Sequence, residues 1–159
     1  MHGPGLREMR DKRFVAQHRG GILKKEQHYQ LCKWACACSR RVLRLLAEHT
    51  DERLTKALEI AEQWSRGDAT VGDARAAALA AIAAANESVK ATAIAVARCV
   101  GHASATAHMA DHALAAAAYA LKAVKIAGRS TEAERKWQDE QLPAEIRDLV
   151  LTARKSKYL

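Results

Sequence analysis

Aromatic side chains are scarce. Three Trp, three Tyr and one Phe make up 4% of the chain, so its core cannot be built around stacked rings. Two prolines and eight glycines leave few breaks, and no alternating strand pattern, hairpin signal or low-complexity linker is found. No run of about 18 strongly apolar residues occurs, which argues against a membrane-spanning helix; the alanine-rich stretch over residues 74–85 is too short and too weakly hydrophobic. The N-terminal charges lead into no apolar segment of the secretory type. Four cysteines, Cys32, Cys36, Cys38 and Cys99, suit reduced thiols better than a disulfide framework, because three of them crowd one predicted helix. A cytoplasmic location is the expectation. A Gly-rich phosphate loop, a GxSxG elbow, an HExxH pair and a paired-carboxylate motif are also missing, so neither an enzyme nor a cofactor is expected.

What is abundant is alanine. Hydrophobic residues reach 49%, and much of that fraction is the strongest helix former. Alanine adds little apolar area per residue, so stability must come from many close contacts between helices. A chain of 159 residues fits one domain able to bury about 70% of its unfolded surface. The expected fold is all-α, a single compact alanine-rich bundle of five to seven helices. The formal net charge of +8 is unevenly spread. Residues 1–45 hold eleven Lys and Arg against three Asp and Glu, residues 46–100 six against eight, and residues 101–159 nine against seven. The basic first third suits an acidic partner, RNA or DNA.

Three regions are expected: an irregular basic arm over residues 1–24, a helical bundle over 25–153 and a C-terminal tail over 154–159. Gly3, Pro4, Gly5, Gly20 and Gly21 punctuate the arm, and Met9 opens a plausible frame of its own, which makes residues 1–8 an upstream extension. A first helix over about 25–48 carries Leu31, Trp34, Ala35, Cys38, Val42 and Leu45 on one stripe. Thr50 is the expected N-cap of a second helix, with Gly67 as its stop. Thr70 and Asp73 form a capping box before a third helix over 71–87, read as central and surrounded because alanine covers nearly all its faces. A fourth helical region spans 90–127, bent or split at Gly101. Thr131 with Glu134 signals a short helix, and Pro143 suits the first turn of a last one.

The densest polar cluster is GHASATAHMADHA, residues 101–113. His108 and His112 stand at i and i+4 and could chelate a metal from one helix face, with His102 off that face and Asp111 as ligand or support. The competing reading is that these groups tie helices together, since polar groups among alanines must be paired. His28, Cys32 and Cys36 step along a helix in a thiolate–imidazole pattern, although Cys serves equally as a small buried hydrophobe. Trp64 reads as a core anchor, and Arg66 as a cation bonded to carbonyls at a helix end. The arm's Arg7, Arg10, Lys12, Arg13, Arg19, Lys24 and Lys25 suit phosphates, but only Phe14 and Tyr29 are near for stacking, so nucleic acid is not the favoured partner.

Four segments, in order, are similar to a bacterial family. MRDKRFVAQHRGGILKKEQH from Met9, WSRGDATVGDARAAALAAIAAA from Trp64, GHASATAHMADHALAAAAYALKAV from Gly101 and WQDEQLPAEIRDLVL from Trp137 resemble the immunity proteins of polymorphic toxin systems (immunity family five-like). Asp68 stands where that family's WxRGE-type turn carries Glu, and the CKWACACSRR stretch looks atypical. The resemblance implies a small non-catalytic helical protein that binds and neutralises a cognate toxin. The residues expected to bind are His102, His108, Asp111, His112, Arg66 and Trp64. Two alternatives stay open: a metal-binding protein or metal-dependent enzyme centred on His108 and His112, and a basic nucleic-acid binder. A nuclease toxin is usually basic, which makes the acidic stretch over residues 48–73 the better contact surface for it. Alanine-rich faces also suit packing against a second copy.

Overall fold

The computed structural model describes residues 11–47 and 49–157; Arg7, Met9, Arg10, Glu48 and the rest of residues 1–8 lie outside them. Among the described residues there are seven α-helices and no strand, as the composition implies. They are α1 (Lys25–Leu43), α2 (Glu52–Trp64), α3 (Val71–Glu87), α4 (Ala91–Ala105), α5 (His112–Ile126), α6 (Thr131–Glu140) and α7 (Ala144–Lys157). Short 3-10 turns at Lys12–Phe14, Gln17–Arg19 and Arg44–Leu46 add to these. No helix among the described residues is long and apolar enough to cross a membrane.

The centre of the bundle is α4, which packs against α1, α2, α3 and α5. It contributes Ala95, Val96, Ala97, Cys99, Val100 and Ala103 to the core. Small side chains let helix axes approach toward about 8 Å, the lower end of the usual range. Gly101 marks a close approach: a Cβ there would sit 3.1 Å from Ile82 Cγ1. It does not split its helix, which runs unbroken from Ala91 to Ala105. The break falls later, between Ala105 and His112. Thr106 Oγ1 donates to the His102 carbonyl at 3.0 Å and Ser104 Oγ to the Ala74 carbonyl at 2.7 Å. The first is a local i−4 bond of the kind that slightly destabilises a helix; the second ties this helix end to α3.

The α3 helix lies at the surface rather than in the middle. Ala74, Ala77, Ala78, Ala81, Ala84 and Ala85 are buried, while Leu79 is 63% exposed and Ile82 41%. Alanine on every face does not distinguish a surrounded helix from one packed on a single side. The Thr70–Asp73 capping box forms as expected, with Asp73 N–H donating to Thr70 Oγ1 and Thr70 N–H to Asp73 Oδ2. Two other caps shift by one residue: Asp51, not Thr50, accepts from Arg53 N–H, and Ser130, not Thr131, accepts from Ala133 N–H. Glu134 is thereby released from capping and pairs with Arg41 at 3.0 Å. The first helix ends at Leu43, and a 3-10 turn leads to Ala47 at φ 51°. The last helix continues to Lys157, because Arg154, placed in the C-terminal tail, is 3% exposed and bonded to Asp139 and Gln138.

Candidate functional site

The polar residues singled out in the sequence gather mainly at one end of the bundle. There the N-terminal segment, the first turn of α1, the end of α2 and the α4–α5 connection meet. Phe14, Ala16 and Leu23 are buried and seat the segment. A backbone bridge between Ala16 and Leu23 closes it into a loop, with Gln17 N–H donating to Leu23 O and Leu23 N–H to Val15 O, both at 3.0 Å. Gly20 at φ 86° supplies the left-handed turn. Gly21 is required for space, since a Cβ there would lie 2.0 Å from Val15 O.

His28 is the link between these parts. Its Nε2–H donates to the Thr106 carbonyl at 2.6 Å, which joins α1 to the end of α4. Its ring meets Trp64 edge-on at 4.8 Å, and Tyr29 meets the same indole at 4.9 Å. Burial lowers the His28 pKa, and His18 and Arg19 lower it further, against the opposing pull of the Thr106 carbonyl. The ring is therefore a neutral imidazole near pH 7.

His108 and His112 do not share one helix. His108 lies in the connection and His112 opens α5. Their rings are nevertheless 5.3 Å apart. His102, expected off their face, is the better partner of His112: the two Nδ1 atoms are 2.8 Å apart, and His102 stacks on Tyr119 at 5.2 Å. Such a bond needs one Nδ1–H and one Nδ1 lone pair, so the two rings cannot both be protonated while it stands. Burial lowers the pKa of His102, with Asp111 opposing and Arg98 reinforcing the shift. Burial also lowers that of His108, and Arg75 and Arg19 lower it further. His108 Nδ1 is buried without a hydrogen-bond partner among the described residues. Among those residues no three His, Cys, Asp or Glu side chains are grouped to hold a metal ion.

Two adjoining clefts open here. One of about 110 Å³ is lined by Arg19, His28, His108, Met109 and Asp111 with Phe14. The other, about 660 Å³, is lined by Lys25, His28, Tyr29, Trp64 and Thr70 among others. They share Ala16 and His28. Of the six residues expected to bind, His108 and Asp111 line the smaller cleft and Trp64 the larger. His102 and His112 bond to each other across the connection, and Arg66 lines neither cleft. Its guanidinium is 55% exposed and faces Asp68 at 3.9 Å. Trp64 is 8% exposed and belongs to the core as well. From the sequence, Arg19 and Tyr29 were named only as phosphate-contacting and stacking groups of the arm, and Tyr119 was not named; the signal available for the two tyrosines was the scarcity of rings in this chain.

The thiols have a different role. Cys32 donates toward the Ala61 and Ala103 carbonyls and Cys99 to the Ala116 carbonyl at 3.1 Å. All four cysteines are buried. The neighbouring Cys32 and burial push the Cys36 thiol up, burial raises that of Cys38, and burial drives Cys99 to about 12. His28, Cys32 and Cys36 are thus packing groups, with His28 engaged by Thr106, Cys32 bonded to helix carbonyls and the Cys36 thiol kept protonated.

A family model described as Imm-5 like putative immunity protein matches residues 21–145. The chain belongs to that family. The match takes in α1 through α6 and the opening of α7, so the immunity family's segment includes both the His28 link and the whole α4–α5 connection. No curated protein and no solved structure matches the chain.

Proposed function

We propose that this member of the immunity family is a non-catalytic cytoplasmic protein that binds a cognate toxin protein and occludes it. The observation that carries the reading is the double cleft at the arm end. There His108, Asp111 and Trp64, three of the residues named as binding groups, come together from two remote stretches of sequence. The His102–His112 bond joins the two helices on either side of the α4–α5 connection. The four thiols are buried and so are not presented to a substrate as nucleophiles. No Ser, Thr or Cys of the two clefts is bonded to a histidine or carboxylate in the manner of an activated nucleophile. Of the arm cations, Arg13 is clamped by Asp11 and by Thr152 and is not open to phosphate.

The test is co-expression with toxin genes that neighbour the gene for this chain. Restored growth, a complex of fixed stoichiometry and neutralisation that stops when the protein is outnumbered are the expected results. Growth rescue by far less than one equivalent would overturn the non-catalytic part, and neither rescue nor complex with any neighbouring toxin would overturn the whole.

A further inference from the structure

The ionic inventory of the molecule is lopsided once ion pairs are removed. Part of the acidic stretch expected to meet a basic toxin is occupied by its own chain, as is the nearby Glu87. Asp51 and Glu87 both hold Arg53, at 2.8 and 2.9 Å, and Glu62 holds Arg40 at 2.7 Å. Asp73 spends an oxygen on the Thr70 amide. At the arm end the reverse holds. Arg19, Lys25 and Arg75 are exposed, and none of them forms an ion pair among the described residues. Two carboxylates line the smaller cleft with Arg19, Asp11 and Asp111, and Asp11 is engaged by Arg13 at 2.6 Å. Arg19 and Arg75 both lie close enough to His108 to oppose its protonation.

Beside these cations is a cavity with an aromatic wall. The larger cleft's volume of about 660 Å³ is within the usual range of about 300–1,000 Å³ for sites that enclose a ligand or side chains. Lys25 stands over the Tyr29 ring at 5.5 Å, at the rim of this wall. Lys25 on the recess and Arg19 on the adjoining smaller cleft, cations without an ion pair among the described residues, form with the ring wall the complement of an anionic segment that carries an apolar side chain.

We infer that the arm end is the docking surface for an acidic segment of the protein partner, with carboxylates against Arg19 and Lys25 and an apolar side chain in the recess walled by Tyr29 and Trp64. This rests on the immunity reading for the identity of the partner, but not for the chemistry. Long-range attraction of an acidic segment by these cations speeds encounter and weakens with salt.

The experiment has two arms. In the first, poly-L-glutamate is titrated into the isotopically labelled protein at low and moderate salt, with poly-L-lysine as the control. Shifts are expected at Arg19, Lys25, Tyr29 and the Trp64 indole with poly-L-glutamate alone, and loss of at least about tenfold in affinity in the double variant Arg19→Glu/Lys25→Glu. In the second, the same variant and a charge-matched control at remote sites, Lys125→Glu/Lys136→Glu, are measured against a neutralised toxin. The arm variant is expected to lose about tenfold or more in affinity, mainly in association rate, and the control less than about threefold. Circular dichroism melting establishes that the variants are folded. Toxin neutralisation that survives the arm reversal, or falls equally with the control, overturns the docking surface and leaves the immunity reading standing. Poly-L-glutamate binding through Arg19 and Lys25 without neutralisation of any neighbouring toxin overturns the immunity reading and leaves the docking surface standing. No shift at the arm end with poly-L-glutamate overturns the inference outright.

Discussion

Arg154 shows how one side chain can fix a region that the sequence leaves open. It is 3% exposed, and a buried guanidinium is tolerated only when its donors are met. Nη1 donates to Asp139 Oδ1 at 3.0 Å, Nη2 donates to Gln138 Oε1 at 2.6 Å, and the group lies over the Trp34 ring. Gln138 in turn donates through Nε2 to the Ala117 carbonyl and accepts through its own carbonyl from the Trp34 indole N–H. Four helices, α1, α5, α6 and α7, are tied through two residues. Asp139→Ala would leave the guanidinium buried with one acceptor, at an expected loss of about 1.5–3 kcal/mol. Asp139→Asn keeps an acceptor oxygen and should lose less. The double variant Arg154→Met/Asp139→Ala should recover part of the loss, since no buried charge is then left without its partner. Urea unfolding of the set decides it; strictly additive effects would show that the two residues do not act together.

At the scale of the element, caps and breaks carry the information. The α2 N-terminus is set by Asp51, which accepts from Arg53 N–H at 2.9 Å and also pairs with the Arg53 guanidinium. The hydrogen bonds to Arg53 lower its pKa. The two roles separate on substitution. Asp51→Ala removes cap and charge and should destabilise by about 1 kcal/mol. Asp51→Asn keeps a capping oxygen and loses only an exposed ion pair, which contributes less than about 1 kcal/mol. Equal losses in thermal unfolding would contradict the capping role. The Thr70–Asp73 box was legible because spacing alone defines it. The Asp51 and Ser130 caps were misplaced by one residue because Thr50 and Asp51, like Ser130 and Thr131, are adjacent residues that can both cap. The break after Ala105 was harder still. Gly101 carries the conventional signal but sits at a close contact with Ile82, whereas the residues after Ala105, where the helix does end, carry neither glycine nor proline.

Across the whole molecule, the helical class and the family were legible in composition and in motif order, while the site was legible only in pieces. His108, Asp111 and Trp64 were named from sequence, but their convergence depends on a loop at residues 11–24 docking against the α4–α5 connection, a contact between remote parts of the chain. That convergence gives the bundle one end rich in neutral imidazoles, and its stability should therefore respond to pH. Burial lowers the pKa of His28, His102 and His108, from about 6.5 in an unfolded chain. Near pH 6 the unfolded chain then binds more protons than the folded one, so acidification favours unfolding. Stability is fully present above about pH 6.5 and declines as pH falls through that value toward the lower folded-state values. The His102–His112 bond acts in the same sense, because a second proton on the pair removes the lone pair that accepts. Melting temperature is expected to fall steadily from pH 7.5 to pH 5.5, above the range in which most carboxylates titrate. His28→Gln, able to donate to the Thr106 carbonyl but not to titrate, should melt lower at pH 7.5 yet show a shallower fall. A melting temperature flat across that interval, or an unchanged slope in His28→Gln, would show that the arm end is not where protons are taken up on unfolding.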